Sequence, residues 1–195
     1  MTRFKESPSQ TAGPYVHIGC TPNFCEIGGV YPQDLGSQMI TGDVEGQRIT
    51  IRGAVFDGTD TPLRDALIEI WQADAQGHFA GRGGSQGFAG WGRCPSDMDS
   101  GTFTFDTLKP GRVPWHNGQL QAPHVTVWIV ARGINLGLHT RMYFADEEAA
   151  NAEDPILNRI EHKARIPTLM ALPEPGGYRF DIHLQGEAET IFFDI

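Results

Sequence analysis

The sequence predicts an all-β fold: a single-domain antiparallel β-sandwich with an extended N-terminal arm and a short helical insertion near 145–171. Short segments alternate between apolar and polar residues with a period of two, glycine and proline separate them, and only one segment favours helix. A chain of 195 residues is long enough for one well-buried core. We expect the arm and its loops to cover residues 1–46 and the sandwich to cover residues 47–195.

Residues 1–46 are predicted to lack regular secondary structure. The segment 7–16 contains two prolines and a glycine and shows no apolar period, so neither a helix nor a central strand is expected there. Tyr15, Val16 and Ile18 are apolar residues that a merely solvated tail would not need, which indicates an arm lying on another surface. Residues 20–46 contain too many glycines and prolines for a regular element.

Strands are predicted from residue 47 onward, wherever apolar and polar residues alternate or a short apolar run occurs. Residues 77–92 include seven glycines and are expected to form an exposed loop. Trp71 and Ile70 should lie on opposite faces of their strand. The strand at 125–132 is nearly all apolar and should be buried on both faces. The predicted strands are 47–55 before an Asp57-Gly58 turn, 66–73, the segment around Phe103 and Phe105, 125–132, and a short strand beginning at Met142.

The composition changes at residues 145–171, where Ala, Glu, Asp, Asn and Leu dominate. Asp154-Pro155 is typical of an N-cap followed by proline at the first helical position, so one or two short helices are expected. Apolar residues then alternate with polar ones from Tyr178 to Leu184, which predicts a strand with one solvated face. A last strand is expected from Thr190 to Phe193.

The composition also argues against several classes of function. Fifteen basic and twenty-four acidic residues give a net charge of −9, which disfavours binding to nucleic acid. No apolar stretch approaches the roughly 20 residues of a membrane span, and the polar first ten residues do not resemble a signal peptide, so a cytoplasmic protein is expected. Cys20, Cys25 and Cys94 are interpreted as reduced thiols.

The main functional signal lies between Thr107 and Val130. A Lys109-Pro110-Gly111 turn leads to Pro114-Trp115, and a loop then places Pro123-His124 at the start of an apolar strand. Together with other short runs in order along the chain, these motifs resemble the intradiol ring-cleavage dioxygenases, non-haem ferric enzymes that open catechols between their two hydroxyl-bearing carbons. The other runs are 8–15, 69–74, 92–93, 131–135, 138–144 and 178–182.

The resemblance implies that this chain lacks most of the family's iron ligands. The family holds Fe(III) with two tyrosines and two histidines, and a hard cation favours such anionic oxygen donors. Val113 stands where a ligand tyrosine is expected, His124 is kept, and Thr126 replaces the second histidine. The family's ligand tyrosines would fall between Tyr31 and Tyr143, where this sequence has no tyrosine. No metal site is therefore expected in this chain.

The resemblance, together with this departure, implies a chain that works beside a homologous β chain carrying the Fe(III). The reaction that the resemblance implies is cleavage of protocatechuate, a carboxylated catechol, by O2 to give 3-carboxy-cis,cis-muconate. By position in the family motif, Thr11, Gly13 and Pro14 would line one wall of the substrate pocket, and Tyr15 would hydrogen-bond across the interface. Arg132 would approach the substrate carboxylate, which a guanidinium binds in planar, two-pronged geometry.

Two other interpretations are open. The chain could be a non-catalytic β-sandwich module that binds a small aromatic molecule or a protein partner. It could also be a single-chain ring-cleavage enzyme with unusual iron ligands, which the missing tyrosines disfavour. From composition alone, Arg132 would be an exposed loop arginine and residues 7–16 a solvated tail.

Overall fold

The computed structural model describes residues 10–135 and 137–194, and most of their regular structure is β-strand. Residues 1–9 of the predicted arm, together with 136 and 195, lie outside this range. The α-helices are α1 (Pro14–Cys20) and α2 (Glu148–Glu153), and the 3-10 helices are His116–Gly118, Leu157–Arg159 and Lys163–Leu169. The strands are β1 (Arg48–Phe56), β2 (Leu67–Trp71), β3 (Trp91–Pro95), β4 (Thr102–Leu108), β5 (Val113–Pro114), β6 (Leu120–Gln121), β7 (His124–Val130), β8 (Leu138–Phe144), β9 (Met170–Glu174), β10 (Gly177–Arg179) and β11 (Ile182–His183).

Nine of these strands form one mixed, barrel-like sheet in the order β11-β1-β10-β9-β8-β7-β2-β3, with β4 paired to β1. The all-β class is confirmed, but the antiparallel arrangement is wrong because β1 pairs in parallel with β10 and β11, and β8 with β9. A parallel pair needs a long crossover connection, and the helical insertion between β8 and β9 supplies it. A tight turn at Gly176 (φ 81°) then reverses the chain from β9 into β10.

Strand β1 confirms the predicted Asp57 turn and, except at Ala54, which is buried, the predicted alternation. Ile49, Ile51 and Val55 are buried, whereas Arg48 and Arg52 are exposed. Hydrogen bonds to β4 occupy one edge of β1, and β10 and β11 occupy the other. The main core lies against this strand and includes the predicted Phe103 and Phe105 of β4, Ile68 and Ile70 of β2, and Val125, Val127 and Ile129 of β7.

The predicted extended arm is wrong from Pro14, because Pro14–Cys20 is helix α1. Pro14 stands in the first turn of the helix, where its missing N–H has no intrahelical partner to lose and its fixed φ favours the helix. The proline that argued against a helix therefore starts one. None of the seven residues of α1 is buried.

The helical insertion is confirmed as α2 and two 3-10 helices, although β9 begins at Met170, inside the predicted 145–171 range. Asp154 follows the C-terminus of α2 and is fully buried. Its Oδ1 accepts the backbone N–H groups of Ile156 and Leu157, both at 2.8 Å. These hydrogen bonds resemble those of an N-cap, but the 3-10 helix begins only at Leu157 and Pro155 lies outside it, so the predicted proline at the first helical position is wrong.

Other strand predictions were less accurate at their ends. Strand β3 begins inside the predicted 77–92 loop, β8 ends at Phe144 instead of beginning at Met142, and 178–184 is split into β10 and β11. The second face of β7 is only half-buried. The predicted last strand is wrong: the N–H groups of Thr190 and Phe193 donate to His183 and His139, but these single bonds form no ladder.

Among the residues that the structure describes, no helix is long and apolar enough to cross a membrane.

The Gly-rich loop between β2 and β3 is held by the carboxylate of Asp74, which is 1% exposed. Its Oδ1 accepts the N–H groups of Gln76 (3.0 Å) and His78 (2.9 Å), and its Oδ2 accepts the N–H (2.8 Å) and hydroxyl (2.9 Å) of Ser85. Burial by itself would raise the pKa of Asp74, but these hydrogen bonds outweigh it and hold the pKa below its usual range. The loop therefore depends on an ionised carboxylate.

We expect Asp74→Asn to lower the free energy of unfolding by about 2–4 kcal/mol, because an amide NH2 group cannot accept hydrogen bonds from the loop N–H groups. Urea unfolding at pH 7 measures this change. Asp106→Asn is the matched control, since Asp106 is exposed and accepts one hydroxyl, from Thr50. Equal losses in the two variants would contradict the role assigned to Asp74.

Candidate functional site

A pocket of about 710 Å³ lies between the N-terminal segment, the connection from β1 to β2, and the turn that follows β7. Its volume is within the range of small-molecule sites, roughly 300–1,000 Å³. Apolar side chains and a few charged groups form the wall. The lining includes Gly13, Pro14, His17, Pro62, Asp65 and Arg132.

Three of the five predicted pocket residues, Gly13, Pro14 and Arg132, line this one pocket. Thr11 lies beside it and directs its hydroxyl at the backbone around Arg132. Tyr15 is 86% exposed, and no described residue hydrogen-bonds to its hydroxyl. Contact of these residues with a substrate or a partner stays a prediction.

Arg132 lies just beyond the end of β7, in a turn from Ala131 to Ile134. The N–H of Ile134 donates to the carbonyl of Ala131 (3.1 Å), and Gly133 has φ 92°, as the third position of a type II turn requires. The Arg132 side chain is 80% exposed, and its Nε is 3.4 Å from Oδ2 of Asp65. The guanidinium therefore stands at the mouth of the pocket with its Nη groups available.

The positions expected to carry iron ligands lie at the other end of β7. His124 and Thr126 pair with Tyr143 and Arg141 of β8, and side chains two residues apart share a face of a strand. Val113, on β5, pairs with Gln121 of β6 and is 7% exposed.

His124 is 5% exposed, and its Nδ1 lies 2.8 Å from the carbonyl oxygen of Ala122. A carbonyl accepts only, so we assign the Nδ1 proton to this bond. Burial, assisted by the positive charge of Arg141, lowers the pKa of His124 to about 4. The imidazole is thus neutral at pH 7 and has a structural hydrogen bond within its own loop.

A network of polar groups surrounds His124. Nη1 of Arg141 donates to Oε1 of Gln121 (2.8 Å) and lies 3.4 Å from the hydroxyl of Tyr143. That hydroxyl donates to Oδ1 of Asp154 (3.3 Å), whose Oδ2 accepts the N–H of Ala122 (2.7 Å). Burial, and then the nearby Asp154 carboxylate, raise the pKa of Tyr143 well above its usual range, so it is a neutral phenol.

This set of groups does not fit Fe(III), which needs several anionic or neutral donors converging on one point. The expected positions offer one imidazole, an isopropyl group and a hydroxyl, and Arg141 adds a positive charge beside them. Within residues 10–135 and 137–194, no group of three or more His, Cys, Asp or Glu side chains could hold a metal ion.

The pocket and the expected ligand positions are separated by the length of β7. Six residue steps lead from His124 to Val130, and at about 3.3 Å per step the two ends lie about 20 Å apart. Arg132 is two residues further on. The side chain of Arg132 therefore cannot serve a metal site built at His124 of the same chain.

Sequence reasoning missed the residues that organise both places. Arg141 lies in the run 138–144, one of those that carry the family resemblance, but its partner Gln121 belongs to a separate two-stranded sheet, so nothing local links them. The sequence places Arg141 two residues from Tyr143, on the same strand face, and Tyr143 proves to be fully buried. That spacing was the available signal for a charged group near the interior. Asp65, which pairs with Arg132, lies in an irregular connection and carries no such signal.

A family model for dioxygenases matches residues 20–186, so the chain belongs to the intradiol dioxygenase family. It is similar over its full length to the protocatechuate 3,4-dioxygenase alpha chain of Pseudomonas putida, at 43% identity covering 97% of this chain and 96% of that protein. The alpha chain of Burkholderia cepacia is 38% identical, with 100% of both chains covered.

Two further similarities are more distant. The protocatechuate 3,4-dioxygenase beta chain of Burkholderia cepacia is 32% identical over 76% of this chain and 69% of that protein. The structure of an intradiol ring-cleavage dioxygenase from Tetranychus urticae has a TM-score of 0.58 at 18% identity, covering 80% of this chain and 89% of that one. At this identity the structural likeness concerns the fold alone.

The stability of the chain should fall as the pH drops from about 6.5 towards 4, because His124 is protonated more readily in the unfolded chain than in the folded one. The stabilisation due to neutral His124 is present in full above pH 6.5. Below pH 4, the free energy of unfolding is lower by about 3 kcal/mol. In His124→Asn, whose amide keeps a donor near the Nδ1 position, the unfolding free energy should depend less on pH in this window.

Urea unfolding at pH 4, 5, 6 and 7 measures the difference in unfolding free energy between the original chain and the variant. Other titrating groups are present in both proteins, so their contributions cancel in this difference. His116→Asn, which removes an exposed histidine, is the control. If the His124 and His116 variants show the same pH dependence, the buried imidazole is not responsible.

Proposed function

We propose that this chain is the α chain of a protocatechuate 3,4-dioxygenase and acts beside a homologous β chain that carries the Fe(III). The substrates are protocatechuate and O2, and the product is 3-carboxy-cis,cis-muconate. The sequence similarity to two proteins named as alpha chains, which extends over nearly the full length of each, supports this assignment. The similarity to a beta chain supports a homologous partner of the same ancestry.

One observation carries the division of labour. The pocket with Arg132 and the positions that would hold iron lie at opposite ends of β7, about 20 Å apart. The polar network around His124 does not fit Fe(III), whereas the pocket is open and has a guanidinium at its mouth. A substrate wall so far from its own chain's metal positions is best explained as complementing the metal site of another chain.

In this proposal the ring-opening chemistry belongs to the β chain, and the α chain binds and orients the substrate. Arg132 recognises the carboxylate of protocatechuate through its two Nη groups, in the bidentate geometry that arginine favours. Gly13 allows close approach of the backbone, and Pro14 fixes its path at little entropic cost. Exposed Tyr15 has a hydroxyl for a hydrogen bond to the β chain.

A small-aromatic binding module is the second candidate, because the 710 Å³ pocket is formed within one chain. It predicts that the isolated chain binds protocatechuate, which titration calorimetry measures directly.

Iron and activity should appear only when this chain is co-purified with its homologous β chain. We expect stoichiometric iron, a visible tyrosinate-to-iron absorption band and protocatechuate-dependent O2 uptake in the mixed complex, and none of these in the isolated chain. Elemental analysis and absorption spectroscopy check the two preparations side by side. A coloured, iron-loaded preparation of the isolated chain would show that the donor set around His124 has been misjudged.

In the αβ complex, Arg132→Ala should reduce kcat/KM for protocatechuate by about 10- to 150-fold, because a charge-assisted hydrogen bond contributes about 1.5–3 kcal/mol. Catechol lacks the carboxylate and should lose much less. Steady-state O2 uptake with both substrates measures the ratio. Arg82→Ala removes an exposed arginine from the Gly-rich loop and is the control. Equal losses of activity on both substrates would mean that Arg132 has a structural role instead.

A further inference from the structure

The hydroxyl of Thr11 bonds to the chain on both sides of Arg132. Its Oγ1 donates to the carbonyl of Ala131 (3.2 Å) and accepts the N–H of Gly133 (2.8 Å). A third contact, to the carbonyl of its neighbour Ala12, is longer at 3.4 Å. The two bonds join positions 120 and 122 residues apart, so they fix the N-terminal segment to the turn after β7.

These two backbone groups belong to the two peptide planes that flank Arg132. The Ala131 carbonyl lies in the peptide that precedes Arg132, and the Gly133 N–H lies in the peptide that follows it. Since each plane is rigid, holding both planes fixes φ and ψ of Arg132 and with them the direction of its Cα–Cβ bond. The Ala131 carbonyl also accepts the N–H of Ile134 within the turn, so its two lone pairs are both used.

Asp65 lies beside the far end of the same side chain. Its Oδ2 lies 3.4 Å from Nε of Arg132, so the Nη edge of the guanidinium is left for a ligand. The backbone carbonyl of Asp65 lies 3.0 Å from Nε2 of His17, which connects this support to helix α1. Arg132 is thus held through its backbone and has an ion-pair partner beside its Nε, although the side chain as a whole is 80% exposed.

We propose that Thr11 is a positioning residue for Arg132: its hydroxyl sets the direction from which the guanidinium meets the substrate carboxylate. This inference rests on the proposed function and goes beyond it, because Thr11 acts through Arg132 and not as part of the pocket wall. Thr11 is itself exposed, so loss of its hydroxyl affects the turn more than the core. One or two neutral hydrogen bonds correspond to about a two- to tenfold change in binding.

The test uses the assembled αβ enzyme carrying Thr11→Val, which keeps the shape of the side chain and removes the hydroxyl. We expect KM for protocatechuate to rise about fivefold, with kcat little changed and with catechol kinetics unaltered. Thr11→Ser keeps the hydroxyl and should behave like the original enzyme. Thr41→Val, which removes a single exposed hydrogen bond to the carbonyl of Gly87, should change neither substrate's kinetics.

A double-mutant cycle separates positioning from a general structural effect. If Thr11 acts through Arg132, adding Thr11→Val to Arg132→Ala should change KM for protocatechuate by less than about twofold. Multiplicative effects of the two changes would overturn the proposal. So would a Thr11→Val enzyme that loses activity on both substrates alike, or a Thr11→Ser enzyme as impaired as Thr11→Val.

The outcome for Arg132→Ala keeps this inference distinct from the proposed function. If Arg132→Ala is selective for protocatechuate and Thr11→Val is not, positioning by Thr11 is wrong while carboxylate recognition stands. If Arg132→Ala is not selective, carboxylate recognition fails, and the role of Thr11 fails with it. Iron content and gel filtration confirm assembly of each variant, and Thr11→Ala replaces Thr11→Val if the latter does not assemble.

Discussion

Strand β7 is hydrogen-bonded along both edges, to β2 on one side and to β8 on the other. A strand fixed on both edges cannot slip by one residue without moving its whole apolar set out of the core. Val125, Val127 and Ile129 are almost completely buried in the main core, so the register of β7 is strongly determined. This pairing fixes His124 at one end of the strand and the Arg132 turn at the other, so the positions of both groups depend on it.

The arginines at the two ends of β7 lie in different environments. At the His124 end, the partly buried Arg141 guanidinium donates to Gln121, and the Tyr143 hydroxyl links it to the buried carboxylate of Asp154. A charged group removed from water needs hydrogen-bond partners, and this network supplies them to both charged groups. At the other end, the Arg132 guanidinium is solvated and held mainly through its backbone. The first arginine completes the interior, while the second is available to a ligand.

The sequence predicted strands well where one face enters the core, as in β1 and β4, because burial imposes the period of two. It could not predict strand direction, because Tyr178 and Ile182 alternate in the same way whether β10 and β11 run parallel or antiparallel to β1. The prediction failed at Pro14, where a residue that breaks helices internally begins one. It also failed at 190–193, where apolar side chains pack against the core but the backbone makes only isolated hydrogen bonds.

The candidate site was also predicted where the signal is local in sequence and missed where it depends on contacts between distant segments. The sequence identified Val113, His124 and Thr126 as positions at which the resemblance implies iron ligands, and the structure places His124 and Thr126 on one strand face. The residues that fill this region were not legible, because Gln121, Arg141 and Asp154 come together only through the pairing of three separate segments. The hydrogen bonds from Thr11 to the Arg132 turn join residues more than 100 positions apart, and no local sequence pattern predicts such a contact.

The Arg141 network has a consequence for protein engineering. Val113→Tyr or Thr126→His would each add one donor for a metal ion, but would leave a guanidinium beside His124 that repels a trivalent cation. Neither substitution alone therefore creates an iron site. A design that places iron in this chain has to replace Arg141 as well, and with it the hydrogen bond from Arg141 to Gln121.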